Sequence, residues 1–324
     1  MTTATPKDRA SRRGLLAYLG LTVVLSWAPA ALLGEAWTGA GLLSASRLLT
    51  CSLFYALCMG WQPLVATWVV RRWIDPPGYL DQGLKPSPGR FLVLAGIAPL
   101  VLAVAATLLA WLAGCLGAPA LGSTGGAAQP TLALQPGSWM AALGLALACM
   151  ATVALIWSQS LGEEIGWRGF FMTRLMQHCG AWKGLFLHGV VWGLWYAPIF
   201  LFGNDDFAGP ALRSAAFVLT CCLLGVLLGW LRLASGSIIP TTVANAVLTL
   251  TAGLPFLLQG IDVGLLGSAY GPPGWVPMAL AIAILATGRW RGAVVTPSAL
   301  PRRREGLWFA LDARAGGAGP RVLH

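Results

Sequence analysis

The sequence predicts an all-α membrane protein, a bundle of about eight transmembrane helices. Composition is the first observation, because 57% of the 324 residues are hydrophobic and only 10% are charged. The second is that the apolar residues form long continuous blocks and not periodic stripes. A helix of about 20 apolar residues crosses the hydrocarbon core of a bilayer. Each block is therefore a candidate span.

The uncharged blocks lie, in chain order, at residues 14–33, 48–70, 91–116, 139–162, 184–203, 214–230, 237–260 and, more briefly, 274–288. Their many glycines and prolines are compatible with membrane helices, because neighbouring helices satisfy the backbone groups that these residues free. We therefore expect a basic arm at residues 1–13, one membrane domain at residues 14–288 and a basic tail at residues 289–324.

The basic residues predict the orientation, because Lys and Arg are retained on the cytoplasmic side of short loops. With eight spans, every Lys and Arg except Arg47 and Arg213 lies on the same side as both termini. An excess of Arg over Lys, with abundant Ala and Gly, suggests a GC-rich bacterial genome. We expect a multi-pass protein of the bacterial plasma membrane, with both termini cytoplasmic.

The net charge of +10 is spread over the loops between apolar blocks. A nucleic-acid surface would instead concentrate basic residues in one stripe. The lipid bilayer is therefore the expected partner, and nucleic acid is not.

Two adjacent carboxylates, Glu163 and Glu164, lie with Arg168 at the end of an uncharged stretch that begins at residue 91. Ionisable side chains at membrane depth cost roughly 2.5 to 3.5 kcal/mol each, so they persist where they are paired or used. On a helix Glu164 and Arg168 share one face and can form an ion pair, whereas Glu163 lies about 100° further round. We expect a structural pair and a cavity-facing Glu163. Alternatively, the cluster only ends a span at the lipid headgroups.

Two later segments carry polar groups in apolar surroundings. His188 and Tyr196 share a span with several tryptophans, where aromatic packing is the simpler interpretation. Its Gly189 and Gly193 permit close packing against another helix. Asn245 and Thr249, four residues apart, either hydrogen-bond between helices or line a polar cavity that faces the glutamates.

Together these segments resemble the CPBP family of intramembrane proteases, which includes the CAAX prenyl endopeptidases. The family motif Glu-Glu-x-x-Trp-Arg-Gly is matched at residues 163–169, and Trp-His-x-Pro at residues 195–198 with Tyr196 at the histidine position. Ser-Ile-x-Pro is matched at residues 237–240. Five residues after its proline the family has a histidine, here Asn245, and four further on an Asn or Asp, here Thr249. The resemblance covers residues 137–260.

The resemblance implies peptide-bond hydrolysis near the membrane, with Glu163 as general base and with Glu164 and Arg168 holding the local structure. A phenol, with an ordinary pKa near 10, is a poor base at neutral pH, and an amide does not titrate. Two alternatives follow. Tyr196 and Asn245 donate hydrogen bonds to an oxyanion in an altered hydrolase, or the chain is a non-catalytic homologue that binds a membrane-associated peptide or protein. A third, from another class, is a small-molecule permease or channel that uses the Glu-Arg cluster as a gate.

The resemblance also raises zinc as a cofactor. A catalytic zinc site takes about three protein ligands, and only the glutamates are credible here, so the ligand set is incomplete and no cofactor is predicted. His188 precedes Tyr196 by eight residues, about 12 Å along an ideal helix. It is therefore not expected to replace the missing imidazole directly; the alternative is that a non-ideal helix brings His188 toward Glu163, since both lie near the cytoplasmic ends of their spans.

Overall fold

A computed structural model describes residues 6–37, 53, 55–75, 82–114, 139–201, 209–251 and 269–287. These ranges are mostly helical and contain no β-strand. The α-helices are α1 (Pro6–Trp37), α2 (Gln62–Val69), α3 (Gly89–Leu112), α4 (Trp139–Glu164), α5 (Met172–Cys179), α6 (Ala181–Trp195), α7 (Ala197–Leu201), α8 (Gly209–Ser235), α9 (Ile239–Thr251) and α10 (Pro272–Thr287). Three π-helical segments accompany them, at Ala56–Gly60, Val70–Ile74 and Ile165–Phe171. The predicted tail at residues 289–324 lies outside the described residues.

Where the structure describes them, the predicted apolar blocks are largely helical, and the prediction of an all-α membrane bundle is confirmed. Four of the described stretches are long and apolar enough to cross a membrane, namely Arg12–Leu32, Gly89–Leu112, Ala181–Leu201 and Gly209–Ser235. Two apolar helices, α9 and α10, are shorter. Multiple membrane crossings therefore follow from the helices themselves.

Three features differ from the expected pattern of spans and loops. Helix α1 begins at Pro6, inside the predicted basic arm, and α5 is a helix in a segment expected to be a loop. The block at residues 184–203 is also interrupted, because α6 ends at Trp195 and α7 begins at Ala197. Pro198 has no amide hydrogen, and its ring clashes with the carbonyl four residues earlier, which favours a kink or break in the helix at this point. The interruption places Tyr196 between two helices.

Helices α6 and α8 form the most extensive contact between two helices of the described chain. A Cβ atom added at Gly189 would lie 2.5 Å from the Cα of Cys222, and one at Gly193 would lie 2.6 Å from the Cα of Val218. Small residues let two membrane helices approach to this distance. The predicted close packing at Gly189 and Gly193 is confirmed, and it fixes the helix that precedes Tyr196.

Three polar segments contact one another at one end of the bundle. Arg174 in α5 forms a buried ion pair with Asp75, at 2.9 Å between Nη2 and Oδ2. Ser237 donates a 2.6 Å hydrogen bond to the backbone carbonyl of Lys85, and the Ile238 amide donates to the Gly83 carbonyl at 2.8 Å. The segments that follow α2, α4 and α8 therefore share one end of the molecule.

Candidate functional site

The two adjacent glutamates lie at the C-terminal end of α4, where Glu163 is 3% exposed and Glu164 is fully buried. The chain continues without interruption into the π-helical segment Ile165–Phe171, all of whose residues are buried. Such π-helical turns occur often at functional sites. The Trp167 ring packs against Tyr18 and Trp195, with centroid distances of 5.7 and 5.4 Å. Aromatic packing thus fixes the end of α4.

The Glu163 carboxyl group lies between two phenols. Tyr196 donates a hydrogen bond to Oε2 at 3.0 Å, and the hydroxyl of Tyr55 lies 2.8 Å from Oε1. The two phenol oxygens are themselves 2.7 Å apart. Both tyrosine rings are only partly buried, whereas Glu163 is almost completely buried. The two tyrosines are therefore the more accessible members of this cluster.

Glu164 points to a different set of partners. Arg168 Nη1 donates to its Oε1 at 2.8 Å, and both side chains are fully buried. The guanidinium carbon of Arg168 also lies 3.8 Å from the centroid of the Trp192 ring, a cation–π contact. The predicted ion pair is present, and the two carboxyl groups diverge as the helical period suggests.

Asn245 belongs to the Glu164 side of the site. Its amide nitrogen donates to Glu164 Oε1 at 3.3 Å, so this polar residue of α9 links two helices. The Thr249 hydroxyl donates to the Asn245 carbonyl within α9 at 3.0 Å. Just before α9, the Ser237 hydroxyl accepts a hydrogen bond from the Ile239 amide at 3.1 Å. Of the six predicted site residues, Glu163 and Tyr196 thus form one hydrogen-bonded group, and Glu164, Arg168, Asn245 and Thr249 form another.

His188 lies apart from Glu163. Its ring is fully buried, at 6.1 Å between centroids from both Trp167 and Trp192. Neither ring nitrogen has a hydrogen-bond partner. His188 is therefore not bonded to Glu163 and does not supply an imidazole at Tyr196.

A zinc ion does not fit the donors that surround Glu163. Its hydrogen-bond partners are phenols, and Glu164 is occupied by Arg168 and Asn245. Within the described chain, no three His, Cys, Asp or Glu side chains are grouped so that they could hold a metal ion. A catalytic zinc site generally needs three such ligands, so no chemical step is derived through a metal.

Tyr55 is the site residue that the motifs did not identify. It lies in the apolar block 48–70 and precedes the π-helical turn Ala56–Gly60. The separation from Glu163 is 108 residues, so no local spacing connects the two. A polar hydroxyl within an apolar block was the available signal, but most such tyrosines pack or lie at the membrane interface.

Comparisons with known proteins test the resemblance to the CAAX prenyl endopeptidases. Residues 126–251 match the family model described as Type II CAAX prenyl endopeptidase Rce1-like, and this range contains all six predicted site residues. The chain is also 28% identical over 76 residues to CAAX prenyl protease 2 of Methanococcus maripaludis. That alignment covers 22% of this chain and 28% of the archaeal protein, so the chain spans well under half of that relative's length. The match confirms the predicted resemblance to the CAAX prenyl endopeptidases over residues 126–251.

Proposed function

We propose that this protein binds a membrane-associated peptide at the Glu163 site and does not cleave it. The observation that carries the proposal is the hydrogen bonding of Glu163 to Tyr55 and Tyr196. A general base works best when its pKa is near the operating pH, and a neutral phenol accepts a proton poorly. In the motif alignment, Tyr196 stands where the family that the chain resembles carries the histidine that helps to activate water.

The position of Asn245 supports the same conclusion. In an altered hydrolase its amide would donate to the oxyanion, but here it donates to Glu164. Removing one oxyanion donor typically lowers the rate about 100- to 1000-fold. At the two positions where the family carries histidines, the site thus has a phenol and an amide that is already bonded to Glu164.

An apolar groove supports a lipidated peptide as the ligand. The groove has a volume of about 510 Å³, lies among α3, α8, α9 and α10, and is lined by apolar side chains that include Leu94, Leu228 and Leu248. Helix α9 contributes Leu248 to the groove and Asn245 to the polar site. The archaeal relative is named as a prenyl protease, and a hydrocarbon chain of that kind suits such a groove.

We also infer that the chain lies in the plasma membrane of a bacterium with both termini in the cytoplasm. The excess of Arg over Lys carries the bacterial assignment. The orientation rests on the positions of Lys and Arg and on the contacts that bring three of the basic loop segments together at one end.

Binding and cleavage can be separated with the purified protein in lipid nanodiscs. Prenylated and unprenylated peptides of one sequence are tested for affinity by fluorescence and for cleavage by mass spectrometry. We expect tighter binding of the prenylated peptide, weaker binding in Glu163→Ala, and no cleavage. Glu163→Gln is the isosteric variant that separates loss of charge from loss of the side chain.

The pair of substitutions Tyr196→His and Asn245→His tests why the site is silent. We expect cleavage to appear only when both are present. Cleavage by the unmodified protein that disappears in Glu163→Ala would overturn the non-catalytic assignment. Absence of binding to every peptide would overturn the binding role.

A further inference from the structure

We propose that Tyr55 is a positioning residue of this site. Together with Tyr196 and Glu163 it forms a closed ring of three hydrogen-bonded groups, and this ring holds Glu163 as the neutral acid. The inference rests on the proposed function only in taking Glu163 as part of the peptide site.

The geometry of the ring comes from three contacts. Tyr55 to Glu163 Oε1 is 2.8 Å, Tyr196 to Glu163 Oε2 is 3.0 Å, and Tyr55 to Tyr196 is 2.7 Å between oxygens. All three lie in the range of O–H···O hydrogen bonds. Tyr55 takes part in two of the three contacts, so its removal opens the ring and leaves only the bond from Tyr196.

The backbone around Tyr55 is held firmly against α4. Tyr55 has helical angles (φ −60°, ψ −46°) and leads directly into the turn Ala56–Gly60. A Cβ atom added at Gly162 would lie 2.9 Å from the Gly60 carbonyl oxygen. Because this turn packs against the helix that carries Glu163, the position of the Tyr55 phenol relative to the carboxyl group is set by backbone contact.

Counting protons gives the state of Glu163. Two neutral phenols supply two protons, whereas hydrogen bonds across all three contacts require three. With Glu163 ionised, one pair of oxygens at hydrogen-bond distance would lack a proton between them. With Glu163 protonated, Tyr55 donates to Tyr196, Tyr196 donates to Oε2, and the acid proton on Oε1 is donated to Tyr55.

The charged groups near Glu163 agree with this count. Glu164 is its neighbour along the chain, and Arg168 donates its hydrogen bond to Glu164. In the described part of the chain, Glu163 is bonded to neutral phenols and to no cation. Burying an unpaired carboxylate is costly, whereas a hydrogen-bonded neutral acid avoids that cost. The ring therefore contains O–H groups that can donate hydrogen bonds to a peptide carbonyl oxygen once the ring opens.

Infrared spectroscopy of the full chain in nanodiscs at neutral pH, without peptide, tests the ring. We expect a carboxylic-acid C=O band that is lost in Glu163→Gln. Tyr196→Phe removes the hydrogen bond to the carbonyl oxygen, so the band should move to higher frequency. Tyr55→Phe removes the acceptor of the acid proton and should also shift the band. Tyr18→Phe is the control, because the buried Tyr18 hydroxyl has no bond to Glu163 and its loss should leave the band in place.

Two results would overturn the proposal. If Glu163→Gln removes only carboxylate bands, Glu163 is ionised and the ring is not complete. If Tyr55→Phe leaves the acid band unchanged in a variant that elutes as a folded monodisperse species, Tyr55 does not position Glu163. Since no peptide is present, failure of peptide binding would count against the proposed function alone. If Tyr55→Phe does not fold, the shift expected in Tyr196→Phe decides the outcome.

Discussion

At the residue scale, Arg168 is fully buried between Glu164 and the face of the Trp192 ring. Removing two charges from water costs several kcal/mol each, and their attraction offsets this cost only when the geometry is good. A 2.8 Å bond and the second donor from Asn245 supply that geometry. The pair adds little net stability, but the loss of either partner alone would leave an uncompensated buried charge.

Replacement of Glu164 alone should consequently be more harmful than replacement of both charges. Glu164→Gln leaves a buried, uncompensated guanidinium and should lower the free energy of unfolding by about 3–5 kcal/mol. The double variant Glu164→Gln with Arg168→Met should lose less than the sum of its two single variants. Denaturant unfolding of the detergent-solubilised protein measures both. Arg13→Gln on the exposed surface of α1 is the matched control and should change stability by less than about 0.5 kcal/mol. Additive losses in the double variant would show that the pair is not coupled.

At the scale of the elements, α6 and α8 are held at a short distance by glycine. An added methyl group at Gly189 or Gly193 meets backbone atoms of α8 within 2.6 Å, and backbone cannot move aside as a flexible side chain can. Separation of these helices would also move the end of α6, where Tyr196 lies. The packing of two elements thus sets the position of a site residue that neither element determines alone.

The glycines of α6 that contact α8, Gly189 and Gly193, can be compared with one that faces open space. Gly189→Ala should destabilise the protein by about 1–3 kcal/mol through overpacking. Gly96→Ala in α3 should be neutral or stabilising, since nothing lies within 4 Å of its added Cβ and alanine is favoured over glycine in a helix by about 1 kcal/mol. Thermal unfolding in one detergent gives both values. Equal effects at the two positions would contradict the role of the α6–α8 contact.

At the scale of the whole molecule, the basic segments and the eight apolar blocks predict one orientation. In a background without reactive cysteines, Arg90→Cys near the start of α3 and Ala211→Cys near the start of α8 should lie on opposite sides of the membrane. A membrane-impermeant thiol reagent added to intact cells should label Ala211→Cys but not Arg90→Cys. Arg90→Cys should be labelled in inside-out vesicles. The reverse labelling pattern would show that the orientation is opposite to the predicted one.

The amino-acid sequence by itself determined the helical membrane bundle and the Glu164–Arg168 pair. Both depend on local features of the sequence. The bundle follows from the length of each apolar block, and the ion pair follows from a spacing of four residues on one helix. Tertiary structure alone decided that Glu163 meets Tyr55 and Tyr196, and that Asn245 bonds to Glu164. These partners are separated by 108, 33 and 81 residues. No helical period relates residues on different helices, so only the packing of the bundle brings their side chains together.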